Sequence, residues 1–322
     1  MDRRTILVTG ANGFVGSALC RQLALLDCLA PRAAVRGAAR GPAEVPTVTV
    51  GDLAASTDWS AALAGVDTVV HTAARVHVMK ETAVDSLAEF RRVNVEGTLS
   101  LARQAVAAGV RRFIFISSVK VNGEVSHPGH PLSADDAQMP LDAYGISKHE
   151  AEQALWQLAV SMAIEVVVIR PVLVYGPGVK ANFNSMMRWV ARGVPLPLGA
   201  VDNRRSLVSV DNLVDLVITC IDHPQARNQT FMASDGDDIS LSQLLRALGR
   251  ALGRPARLLP VPPAILQGAA TLLGRHDLAQ RLLGSLQVDI AKNQRLLGWQ
   301  PPFTLQQGLN DTARSFLENQ RT

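Results

Sequence analysis

A run of β-branched and apolar residues, Thr5-Ile-Leu-Val-Thr9, leads straight into Gly10-Ala-Asn-Gly13-Phe-Val-Gly16, and apolar residues at helical spacing follow. Strand, tight turn and helix in that order constrain the fold more than any other feature of the chain. Gly10 suits the turn, Gly13 lets a pyrophosphate approach the backbone, and Gly16 lets the helix pack closely on a sheet. The first N–H groups of the helix and the positive end of its dipole favour a phosphate. Gly10, Asn12, Gly13, Phe14, Val15 and Gly16 are therefore candidate dinucleotide contacts. A purely structural glycine turn is the alternative, disfavoured by the strand before it and the helix after it.

The pattern continues. Residues 5–9, 33–36, 48–50, 67–71, 111–117 and 165–170 read as strands, several apolar on both alternations as in strands buried on two faces. Residues 14–26, 86–108 and 143–163 read as helices between them. Such alternation predicts a doubly wound parallel α/β sheet with right-handed crossovers. From residue 171 Pro and Gly become frequent and the helices shorten. This predicts a nucleotide-binding domain over 1–170 and a smaller, mainly substrate-binding region over 171–322. Residues 208–210 and the helix after them are expected to return to the first sheet, continuing that domain over about 207–222.

Composition narrows the function. With 48% hydrophobic and 19% charged residues, the chain has the apolar surface a folded core needs. No stretch of about 20 apolar residues predicts a membrane span, and no signal peptide is expected. The three cysteines, Cys20, Cys28 and Cys220, have no metal-ligand spacing, and no metal is expected. Buried free thiols in a reducing cytoplasm are the simplest reading. The net charge of +4 comes from 27 arginines that read as scattered, against 5 lysines, with only 4% aromatics. That argues against nucleic acid and for an anionic small molecule.

The end of the second strand bears on the cofactor. A carboxylate there would accept hydrogen bonds from a ribose 2′-hydroxyl. The chain has Arg36 and Arg40 instead, with no carboxylate before Glu44. Arginine suits a 2′-phosphate, so NADP(H) is expected, with NAD(H) the alternative. Asp52, followed by Leu53, is a candidate contact of the adenine; a plain turn is the alternative reading.

Tyr144 and Lys148 stand four residues apart, on one face of a predicted helix. An ammonium near a phenol is expected to lower its pKa and make it a usable acid and base. Ser117 and Ser118 close an apolar strand, at the sheet edge where open α/β sheets bind ligands. A hydroxyl there can hold a substrate oxygen while the tyrosine moves the proton. An ordinary amphipathic helix pair is the bland alternative; the glycine turn and the serine strand weigh against it.

These pieces, with His71-Thr-Ala-Ala74, Asn94-Val-Glu-Gly-Thr98 and Arg170-Pro171 leading to Tyr175-Gly-Pro177, resemble an extended short-chain dehydrogenase/reductase of the NAD(P)-dependent epimerase/dehydratase family. The resemblance implies a Rossmann sheet. It implies Ser118, Tyr144 and Lys148 as catalytic residues, with Lys148 also on the nicotinamide ribose. It implies Ala73, Ala74, Asn94 and Pro171 around the cofactor, Asn94 supporting the active-site helix. The second half is similar to the nucleotide-sugar branch, which implies Asn182 and Arg205 as contacts of a UDP-sugar, with Ser118 and Lys120 nearby. Arg275 and Arg281 are unplaced candidates for the second phosphate. The segment from Ala291 through Gly298-Trp299 to Pro301 resembles a structural part of the family. The family usually forms homodimers, which sets that expectation here.

The pattern also departs from the family. Val119 and Lys120 stand where dehydratases carry an acid/base carboxylate pair, so dehydration is not expected. Val121-Asn122-Gly123 replaces the Val-Tyr-Gly common in epimerases. Together with the arginines after the second strand, this points to an NADPH-dependent reductase of a UDP-linked 2-acetamido-4-keto-6-deoxyhexose. Its product would serve bacterial surface polysaccharide (O-antigen) synthesis. The alternative is a UDP-hexose or UDP-N-acetylhexosamine 4-epimerase with tightly bound NAD. A non-catalytic nucleotide sensor on the same fold is a third reading, against which stands the presence of both Tyr144 and Lys148.

Overall fold

The computed structural model describes residues 3–37, 41–42, 45–76 and 85–320. In chain order the first half runs β1 (Arg4–Thr9), α1 (Phe14–Ala24), β2 (Leu29–Arg36), β3 (Thr47–Val50), α2 (Ser60–Leu63), β4 (Val66–His71), α3 (Ser86–Arg91), α4 (Thr98–Ala107), β5 (Arg112–Ile116), α5 (Ala143–Ser161) and β6 (Glu165–Pro171). The second half runs β7 (Leu173–Tyr175), α6 (Ala181–Ala191), β8 (Arg205–Ser209), α7 (Val210–Asp222), β9 (Gln229–Ala233), β10 (Asp238–Ile239), α8 (Leu241–Ala251), α9 (Pro263–Leu272), α10 (His276–Leu283), α11 (Ala291–Leu297) and α12 (Leu305–Glu318).

A seven-stranded, all-parallel sheet has the order β3-β2-β1-β4-β5-β6-β9. The order reverses between β1 and β4, which opens a crevice at their carboxyl ends. Every residue of β5 is buried, as its continuous apolar run requires between two helical layers. On one face, Leu19, Leu23, Leu213 and Leu216 of α1 and α7 join Ile6, Ile114 and Ile169 of the sheet. On the other, Leu101 and Leu155 of α4 and α5 pack on Leu7, Phe113 and Val168.

Residues 208–210 do not return to this sheet. β8 lies in a second, three-stranded sheet ordered β10-β8-β7, and β9 extends the first sheet beside β6. The choice of partner is non-local. β8 pairs with β7 from Leu207 to Ser209, a strand hidden in a Pro- and Gly-rich stretch. α6, α8 and α12 form a third apolar cluster beneath it, in which Tyr175 stacks on Phe183 with ring centroids 5.4 Å apart.

The helix expected over 86–108 is broken by a π-helical turn at Arg92–Gly97. Gly97 sits so close to Leu53 that a Cβ would lie 2.7 Å from Leu53 Cγ. Such turns are frequent at functional sites, and this one re-aims Asn94. Cys20 and Cys220 are buried, and burial pushes each thiol up to about 12; Cys28, contrary to expectation, is exposed.

Candidate active site

The glycine turn forms as its spacing requires. Gly10 adopts φ +65°, and a Cβ there would lie 2.7 Å from the Ala73 nitrogen. A Cβ on Gly16 would lie 2.3 Å from the Gly10 carbonyl oxygen, so the start of α1 is pressed against the turn. Gly13 caps α1 without a side-chain hydrogen bond, and the first turn holds no acidic residue. Asn12 and Gly13 are exposed, while Phe14 and Val15 are partly buried. The turn therefore offers backbone N–H groups to an anion with no internal carboxylate competing for them.

His71, at the end of β4, locks this edge. Its Nδ1 lies 2.6 Å from Thr9 Oγ1 and its Nε2 2.9 Å from Thr98 Oγ1. Burial pushes its pKa down to about 3, so the ring is neutral and serves as a bridge between β1, β4 and α4. Ala73 and Ala74 follow, both partly buried, with Ala73 directly across from Gly10. Asn94 accepts from the Arg75 N–H (2.8 Å) and donates to the Arg75 carbonyl and to Ser147 Oγ, both at 3.0 Å. Its side chain is spent on protein partners, so it joins the loop after β4 to α5.

Ser118 follows β5 and caps a short 3-10 turn, accepting the Lys120 N–H at 3.2 Å, which leaves its hydroxyl proton for a ligand. Asp142 caps α5 through the Gly145 N–H (2.7 Å) and pairs with Lys120. Gly145 makes the approach possible, because a Cβ there would lie 2.9 Å from the Lys120 carbonyl oxygen. The turn after Ser118 and the first turn of α5, which carries Tyr144, are thereby held together. Lys120 also donates to Glu124 at 2.8 Å. With two carboxylate partners its charge is already compensated.

Tyr144 is partly buried, with its ring edge-on to Phe90 at 6.1 Å. Burial raises its pKa, and Asp142 adds to the rise. That net rise runs against the expected lowering by the Lys148 ammonium. The ammonium donates to the Ile116 carbonyl at 2.8 Å and lies 4.2 Å from the centre of the Phe115 ring. Among the described residues no other hydrogen bond of that ammonium occurs, which leaves donors for a ligand hydroxyl.

Burial pushes Lys148 down to about 7, against the opposing pull of Glu152. A lysine whose folded pKa lies below its ordinary 10.5 destabilises the fold, fully below about pH 7 and progressively less towards 10.5. Lys148→Met is therefore expected to raise the thermal midpoint at about pH 6 and to lose that gain by about pH 10. Melting curves of both proteins across that range check it.

Beneath these residues lies a network the sequence reading missed. Glu152, one turn beyond Lys148, forms an ion pair with Arg170 and accepts from Ser117 Oγ at 2.5 Å; all three are buried. Arg170 also donates to Asn122 Oδ1 at 2.9 Å and to the Ala134 carbonyl at 3.2 Å. The four-residue spacing from Tyr144 to Lys148 to Glu152 was the available signal, since it places all three on one helix face. Pro171 is buried at the end of β6.

The remaining expected contacts are dispersed. Leu53 is buried against Gly97. Asn182 is exposed in the first turn of α6. Arg205 is partly buried and donates to the Arg281 and Gly284 carbonyls at 2.9 and 3.0 Å; burial lowers its pKa. Arg275 and Arg281 are exposed. Among the described residues no group of three or more His, Cys, Asp or Glu side chains could hold a metal ion.

A sequence profile described as the NAD dependent epimerase/dehydratase family matches residues 6–233. The chain belongs to this family. It is an NAD(P)-dependent oxidoreductase or epimerase, as the family is. A Vibrio cholerae protein named UDP-glucose 4-epimerase is 49% identical over 316 residues, 98% of this chain and 96% of that protein. The solved structure of MoeE5 in complex with UDP-glucuronic acid and NAD has a TM-score of 0.78 at 25% identity, covering 98% of this chain and 99% of that one. UDP-glucuronic acid 4-epimerase from Bacillus cereus, in complex with NAD, shares the fold with a TM-score of 0.78 at 21% identity and the same coverage.

The NADP(H) expectation drawn from Arg36 and Arg40 is corrected by the MoeE5 and Bacillus cereus structures, which hold NAD. The structure supplies the reason. Arg36 is exposed and its Nη1 lies 3.4 Å from Asp52 Oδ1. A carboxylate thus stands beside the guanidinium, where it opposes a second negative group such as a 2′-phosphate. Asp52, expected at the adenine, is exposed and pairs with Arg36 in this structure. Arg40 lies outside the described residues.

Proposed function

We propose that this chain is an NAD-dependent 4-epimerase of a UDP-linked hexose or N-acetylhexosamine. The observation that carries the reading is its near-full-length similarity to the Vibrio cholerae UDP-glucose 4-epimerase. The reductase reading leaned on NADP(H) and weakens with it. The nucleotide site fits NAD: an uncapped helix N-terminus behind Gly10 and Gly13, and a buried ammonium at Lys148 with donors to spare.

Bound NAD supplies the hydride acceptor and donor for the sugar C4. The chain's own residues do the rest. Tyr144 takes the proton from the C4 hydroxyl and returns it to the same oxygen after the ring has turned over. Ser118 donates to that oxygen and fixes its position. Lys148 holds the nicotinamide ribose, and positive charge brought beside the phenol when the site is occupied would favour the tyrosinate that burial and Asp142 disfavour. Arg205 and Asn182 serve the diphosphate. Lys120, held by Asp142 and Glu124, sets the loop that carries Ser118 and does not act as an acid or base.

The test is incubation of the purified protein with UDP-glucose or UDP-N-acetylglucosamine and no reduced nicotinamide, followed by NMR of the products. The expected result is a mixture of C4 epimers with no net cofactor consumed. No epimer with or without NAD, together with one reduced nicotinamide consumed per 4-keto-6-deoxy sugar nucleotide, overturns it in favour of the reductase.

A further inference from the structure

α9 reverses the ordinary arrangement of a surface helix. None of its residues is buried. Leu266 packs partly on the cluster formed by α6, α8 and α12. The face about a quarter-turn away is apolar as well. Ile265, Ala269 and Leu272 follow at spacings of four and three, which sets them in one stripe. Ile265 is 61% exposed and Leu272 89% exposed. Leu259 before the helix and Leu273 after it extend the exposed apolar surface. No charged residue occurs from Leu258 to Gly274. Apolar surface of this extent, turned outward, marks an interaction site.

Positive charge flanks it in the sequence. Residues 239–288 contain six arginines and one aspartate, an excess of five, while the whole chain carries +4. The excess comes from the scarcity of carboxylates in this stretch and not from a concentration of arginines; Asp238 and Asp289 stand just outside it. Arg254, Arg257, Arg275 and Arg281 bracket α9, and all four are exposed. The first pair is anchored: Arg254 donates to the Ala191 carbonyl at 2.6 Å, and the Arg257 carbonyl accepts from Leu196 N–H at 2.9 Å.

We propose that α9 is an interfacial anchor that docks this chain on an anionic phospholipid surface. The stripe of Ile265, Ala269 and Leu272 enters the boundary of the acyl region, and the bracketing arginines meet the headgroup phosphates. A second copy of the chain fits the face less well. A two-fold contact sets a patch against itself, and this one would oppose two like-charged rims. Among the described residues no helix is long and apolar enough to cross a membrane, so the attachment is peripheral.

Sedimentation of the full chain with lipid vesicles tests the proposal. At low salt, binding to phosphatidylcholine vesicles containing about 30% phosphatidylglycerol is expected to exceed binding to pure phosphatidylcholine by about tenfold. It should fall as salt rises. Ile265→Glu with Leu272→Glu is expected to reduce it by about tenfold, with circular dichroism and thermal midpoint unchanged. Arg257→Gln with Arg275→Gln provides a second variant, expected to weaken binding and flatten its salt dependence. Absence of vesicle binding by the wild type, or equal binding by the wild type and both variants, overturns the proposal. So does a dimer in analytical ultracentrifugation that Ile265→Glu with Leu272→Glu dissociates while vesicle binding is absent; that result assigns the face to a second copy.

Discussion

Tyr144→Phe is expected to lower turnover by about 100- to 10,000-fold while leaving NAD affinity within a few-fold of wild type. The substitution removes only the phenolic oxygen. The ring keeps its edge-on contact with Phe90, and the α5 cap from Asp142 to the Gly145 N–H is untouched. Lys148 stays on the Ile116 carbonyl, so the ribose-facing donors of the proposed nucleotide site remain. What is lost is the group that exchanges a proton with the sugar oxygen. Without a bound cofactor, burial holds the phenol protonated, so Tyr144 becomes a base only when positive charge is brought to it. Steady-state epimerisation rates and a fluorescence titration with NAD check both halves. A turnover near wild type removes Tyr144 from the mechanism, and a large loss of NAD affinity reassigns it to cofactor binding.

The parts of this site that could be read from the sequence are those written in local patterns. Gly10, Gly13 and Gly16 are spaced for a single turn and helix start, and the close contacts around Gly10 and Gly16 demand glycine. Tyr144 and Lys148 share a helix face by spacing alone. The misread parts depend on partners distant in sequence. Arg36 taken by itself is a phosphate ligand. Asp52, sixteen residues on, lies two residues past the end of the neighbouring strand and meets it. Residues 208–210 have strand character in either sheet, and only the pairing of β8 with β7 decides between them. The pairing of Lys120 with Asp142, beyond a long loop, is likewise not written in any local pattern.

The buried pair of Glu152 and Arg170 carries the other large expected effect. Arg170→Met should destabilise the fold by about 3–5 kcal/mol, because it leaves a carboxylate buried without its counter-charge. The cost does not stop at the pair. Asn122 Oδ1 and the Ala134 carbonyl lose a donor in a site closed to water, and Ser117 is left bonded to an unpaired acid. Glu152→Leu alone should be costly for the converse reason, since it strands a guanidinium that is 1% exposed. The double variant should recover part of either loss, because two apolar side chains of similar volume need no counter-charge. Urea unfolding midpoints of the four proteins form the cycle that separates pairing from packing. A single Arg170→Met variant within about 1 kcal/mol of wild type removes the pair as a support of the site. The network joins α5 beneath Lys148 to the end of β6 and the loop after Ser118. The same substitution should therefore lower turnover in the fraction of protein that remains folded, by loosening Ser118 and Lys148 relative to one another.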